Sequence, residues 1–126
     1  MKQGVRIIGC QPENSPEMTL SLEAGKITNM EMSKPTLSDG SAGGIEEGSI
    51  TFPICQSVVD DTILASEREI AEGIKYIANK HHKIIEGAAG VALACLIKNK
   101  DQFMGRKVII VLCGSNIDIQ KFKELI

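Results

Sequence analysis

The chain has 126 residues, is 43% hydrophobic and 24% charged, and carries a net charge of −2. These figures suit one globular domain with a single hydrophobic core, and the lack of a basic stripe argues against nucleic acid as a partner. No apolar run is long enough to cross a bilayer, and the opening Met1-Lys2-Gln3-Gly4 is too polar for a signal peptide, so no membrane association and a cytoplasmic location are expected.

Val5–Cys10 is short, β-branched and largely apolar, which predicts a buried strand. Ser15 can cap the helix that follows, Pro16 suits its first position and Glu17 its positive end. Gly25 offers a left-handed stop. Residues 33–49 mix turn formers with small residues, a long irregular stretch of the kind that carries function or stays disordered. Ser49 can cap a short helix through Phe52 and Val58.

Thr62–Ala65 reads as a second strand. Ser66 and Glu69 form a capping box for a helix whose Ile70, Ile74 and Ile77 share one face. Lys80-His81-His82 closes it with positive charge, and an exposed helix end is a better account of the two histidines than a ligand pair, since adjacent helical residues diverge. Lys83–Gly87 is a short strand or extended link, and Ala88–Ile97 a small-residue helix buried on several sides. Gly105-Arg106-Lys107 turns the chain into Val108–Leu112, the strongest strand pattern and one suited to a parallel-sheet interior. Ile117–Leu125 closes as an amphipathic helix. Alternating strands and helices describe an α/β layer fold.

Parallel α/β sheets bind ligands beyond the carboxyl ends of their strands. Four segments fall there: Gln11–Asn14, Ser66-Glu67, Glu86-Gly87 and Cys113–Asn116. On its residues alone Cys113 reads as an inert buried thiol and Glu86 as a helix-cap carboxylate. The four cysteines, Cys10, Cys55, Cys95 and Cys113, form no Cys-x-x-Cys pair, and stable disulfides are not expected without a secretion signal. Gly43-Gly44 lacks the strand–helix context of a phosphate cradle. Glu46-Glu47 and Asp60-Asp61 read as solvated charges or caps.

Five segments in order carry a resemblance. They are Ile8–Ser15 (IGCQPENS), Ala42–Phe52 (AGGIEEGSITF), Val59-Asp60-Asp61, Ile85–Val91 (IEGAAGV) and Val111–Ile117 (VLCGSNI). Together they resemble the serine/threonine dehydratases, pyridoxal-phosphate enzymes of the tryptophan-synthase-like fold type, with a loop similar to bacterial threonine dehydratases and the hydroxyectoine-utilisation branch. The resemblance implies part of a three-layer parallel-sheet domain, with residues 1–126 as the C-terminal portion of the catalytic domain. It implies a lyase that eliminates the β-hydroxyl of serine- or threonine-like amino acids, releasing ammonia and a 2-oxo acid. It implies that Cys113 faces the pyridine nitrogen of the cofactor as a neutral partner, that Glu86 lies near the ring, and that the 39–51 loop shapes the substrate side. Gln11, Ser15 and Glu17 fall where some members hold a divalent cation, but Gln11 replaces a glutamate ligand, so no metal is expected.

The family's lysine motif (Ser-Phe-Lys) and its run of about four glycines are absent from this sequence, whose longest glycine run is two. The chain is therefore expected to begin after both elements, to be inactive alone, and to act as a homo-oligomer or with an N-terminal complement chain. The competing expectation is a non-catalytic binding or assembly module.

Overall fold

The computed structural model describes residues 4–126; the polar opening Met1-Lys2-Gln3 lies outside the described residues. Two parallel strands, β1 (Ile8–Pro12) and β2 (Asp61–Ala65), form the sheet, with Cys10 opposite Ile63 and Pro12 opposite Ala65. The ladder continues at both ends, where the Asp60 N–H donates to the Ile7 carbonyl and the Glu13 N–H to that of Ala65, each at 2.9 Å. β1 thus begins later than its sequence pattern predicts. Val5 is exposed and outside the ladder, and Ile7, also exposed, meets it only through Asp60, since the paired register starts at Ile8 and Asp61.

Helix α1 (Glu17–Ala24) ends on Gly25 in the left-handed conformation, with φ 70°. Ser15 does not cap it. Its hydroxyl donates to the Glu17 carboxylate at 2.6 Å and accepts from the Gly43 N–H at 3.0 Å, so it joins α1 to the long loop. Helix α2 (Thr51–Val58) also lacks the expected side-chain cap, since the Ser49 hydroxyl pairs with that of Thr51.

Helix α3 (Glu67–His81) has the predicted capping box in full: the Glu69 N–H donates to Ser66 Oγ, and the Ser66 N–H to Glu69 Oε2. Lys83–Glu86 is an extended link, and α4 (Gly87–Lys98) follows. The core lies where α4 packs between α3 and the sheet, with Ile70, Ile74, Ala89, Val91, Ala94 and Cys95 all buried. Small residues permit this approach. A methyl added at Gly73 would stand 2.9 Å from the Gly90 carbonyl oxygen, so the two helices meet backbone to backbone. At the end of α4, Lys98 Nζ donates to the Leu64 carbonyl and to the Glu13 and Glu69 carboxylates, fastening the helix to the carboxyl end of the sheet.

Val108–Leu112 departs most from expectation. It lies in no ladder, and only Ile110 packs against the core. Ile109 is 94% exposed and Val111 69%. A parallel strand has to find a distant partner, and among the described residues the sheet offers this segment none. Helix α5 (Ile119–Leu125), capped by Asp118, returns Phe122 to the core.

Candidate functional site at the carboxyl end of the sheet

Three of the four strand-end segments meet through one loop. Glu67 follows β2 directly, and its Oε2 accepts the Leu37 N–H at 2.6 Å. Leu37 lies on the start of α4: a methyl at Gly87 would fall 1.8 Å from the Leu37 carbonyl oxygen, so only glycine fits. Ser38 is fully buried, shares a hydrogen bond with the Ser41 hydroxyl, and opens a 3-10 turn, Asp39–Ser41. Gly40 of that turn comes close to Glu86. The other Glu67 oxygen, Oε1, is buried with no hydrogen-bond partner among the described residues.

Glu86 joins this loop to the 113–116 turn. Its N–H donates to the Gly114 carbonyl at 3.3 Å, and its Oε2 accepts the Asn116 N–H at 2.9 Å. It stands at the N-cap position of α4, as the helix-cap reading expects, but its side chain makes no capping hydrogen bond. Gly114 has φ 91°, a left-handed conformation natural to glycine. A methyl there would stand 2.2 Å from the Glu86 carboxyl carbon. Cys113, one residue earlier, is exposed rather than a buried thiol. The result is a free thiol on a turn whose backbone is held by a carboxylate.

The fourth segment builds a separate cluster. Glu17 is only 1% exposed, yet both its oxygens accept hydroxyl donors, from Ser15 and Ser33. Burial pushes its carboxyl upward, but these two hydroxyls and its own N–H outweigh that and hold it below the ordinary range. Gln11 Oε1 accepts both the N–H and the hydroxyl of Thr19, at 2.7 and 2.9 Å. The oxygens that a hard cation would need are thus engaged by protein donors. No group of three or more His, Cys, Asp or Glu residues poised for a metal occurs among the described residues, and no helix among them is long and apolar enough to cross a membrane.

Residues 1–114 match the family model described as pyridoxal-phosphate dependent enzyme. The chain belongs to that family. Within that family it is 37% identical, over its full length, to L-threonine ammonia-lyase of Thermotoga maritima, and covers 31% of that protein. It is 33% identical to the catabolic L-threonine dehydratase of Escherichia coli K12, with 96% of this chain and 37% of that protein covered. Among solved structures, the processed form of tomato (Solanum lycopersicum) threonine deaminase isoform 2 superposes with a TM-score of 0.83 at 28% identity, over 96% of this chain and 35% of that one. Serine racemase from Dictyostelium discoideum gives 0.79 at 30% identity, covering 91% and 36%. The chain therefore carries part of the tryptophan-synthase-like α/β fold and spans about a third of the length of these relatives.

The residues present fit one edge of pyridoxal phosphate. A thiol on a pinned turn can pair with a ring nitrogen, while the sequence supplies neither the Ser-Phe-Lys anchor nor the longer glycine run. Sequence reasoning singled out Glu86 and Cys113 but missed Leu37 and Ser38, which seat the loop. Their only signal is turn-forming composition, which says nothing of where a loop docks.

Proposed function

We propose that residues 1–126 are the C-terminal portion of the catalytic domain of a pyridoxal-phosphate dependent ammonia-lyase. The reaction is α,β-elimination on a serine- or threonine-like hydroxy amino acid, giving a 2-oxo acid and ammonia. The observation that carries this reading is the turn held by Glu86, which begins at the exposed thiol of Cys113. When bound, the cofactor supplies the electron sink for the elimination. Cys113 offers its thiol to the ring nitrogen, and Glu86 keeps that turn in place. The 39–51 loop, seated on α4 through Leu37 and Ser38, forms the substrate side.

The lysine and the phosphate-binding glycines come from a companion: an N-terminal chain, or the corresponding part of the same protein. The exposed Val108–Leu112, which lies in no ladder among the described residues, favours this over a free-standing binding module, because an apolar extended segment left open calls for a partner strand. Titration of pyridoxal phosphate, read by cofactor absorbance and by retention after borohydride reduction, tests the reading. Retention is expected only when this chain is co-expressed with an N-terminal companion that carries the lysine. Stoichiometric covalent retention by this chain alone would overturn it.

A further inference from the structure

Cys10 and Cys95 take no part in the site described above, yet they meet in the layer beneath it. Cys10 is on β1, directly across the ladder from Ile63. Cys95, on α4, is 1% exposed, and its thiol lies 3.3 Å from the carbonyl oxygen of that same Ile63. Cys10 packs, half-buried, against the core cluster that contains Cys95. Strand neighbours are about 4.8 Å apart, so one carbonyl and its cross-strand partner bring the two sulfurs together. We propose that Cys10 and Cys95 form a dithiol that a peroxide oxidises reversibly to a disulfide between β1 and α4.

The two thiols have unequal roles. The neighbouring Cys95 thiol draws Cys10 below the ordinary thiol range, against the upward push of burial. Cys95, beside Cys10 and deeply buried, is held far above the range. Cys10 is therefore the attacking sulfur and Cys95 the resolving one. The Cys10 thiolate attacks a peroxide oxygen, the O–O bond breaks, and the departing hydroxide leaves as water once protonated. Cys10 is then a sulfenic acid. The Cys95 sulfur attacks Cys10, the S–S bond forms, the S–O bond breaks, and the departing hydroxide takes the Cys95 proton to leave as a second water. Two thiols lose two electrons, and one peroxide becomes two waters.

To form that bond the two sulfurs, both neighbours of Ile63, have to close to about 2 Å. The bond would tie the strand that leads into Gln11–Glu17 to the helix that begins beside Glu86. A disulfide of this kind in a reducing compartment is transient and responsive rather than structural.

The test treats the purified chain with stoichiometric hydrogen peroxide and maps it without reduction. Four free thiols should fall to two, with loss of two hydrogens from the intact mass and a linked pair of tryptic peptides, residues 7–26 with 84–98. Dithiothreitol should restore all four thiols. Cys113→Ser should leave the link intact, and Cys95→Ala should abolish it and let Cys10 over-oxidise. The map of the unsubstituted chain decides the matter even where a core variant folds poorly. Oxidation confined to the exposed Cys113, an intermolecular link, or acid forms of Cys10 with Cys95 still free would each overturn the proposal.

Discussion

Glu86 and Gly114 define each other's conformation. The Glu86 N–H donates to the Gly114 carbonyl, and the Glu86 carboxylate occupies the space that any side chain at 114 would need. The fit is steric as well as conformational, since the left-handed φ of Gly114 would strain an L side chain by about 1 kcal/mol or more. Gly114→Ala should therefore displace the carboxylate and free the turn, with a loss of about 1–3 kcal/mol in urea unfolding. Glu86→Gln keeps an oxygen for the Asn116 N–H and should lose far less.

The contact between Gly87 and Leu37 makes a second prediction. A methyl at 87 meets backbone, which has no rotamer to escape through. Gly87→Ala should lift the 37–41 loop from α4. Limited proteolysis would show it as faster cleavage within residues 33–49, with α3 and the sheet still protected.

The Glu17 cluster sets a pH dependence. Its folded carboxyl is held below the ordinary value of 4.5. The stability it contributes is complete above that value and is lost as pH falls through the lower, folded one. Glu69 has the same sign: its partial burial pushes upward, but the Ser66 donors and Lys98 outweigh it. Thermal unfolding should fall steeply below about pH 4.5, and Glu17→Gln should flatten part of that fall while lowering stability at neutral pH.

Much of this was legible because it is local. The Ser66–Glu69 capping box, the Ile70/Ile74/Ile77 face and the Gly25 stop each depend on residues a few positions apart, and all three form as their spacing implies. Val108–Leu112 was misread because a strand is a pairing, and pairing depends on chain that the pattern does not specify. At the site, Glu86 and Cys113 were visible through the family motifs. The seat of the 37–41 loop on Gly87 was not, since it joins residues fifty positions apart by shape alone.

In the assembled enzyme, Cys113→Ser should stay close to full activity, because a hydroxyl can also pair with a ring nitrogen. Cys113→Ala removes that partner and should lower kcat by about tenfold, the kinetic equivalent of one hydrogen bond. Steady-state rates with threonine check both, and equal losses in the two variants would point to a packing role instead.

The most direct test of the central claim is 2-oxobutanoate release from threonine in the presence of pyridoxal phosphate, measured for this chain alone and with the N-terminal part of a relative such as the Thermotoga maritima ammonia-lyase. No product is predicted from either part alone, and turnover is predicted from the two together, disappearing when the companion's lysine is replaced by alanine. Turnover by this chain alone, or a stable complex of the two that loads cofactor yet releases no product from threonine or serine, would contradict the account.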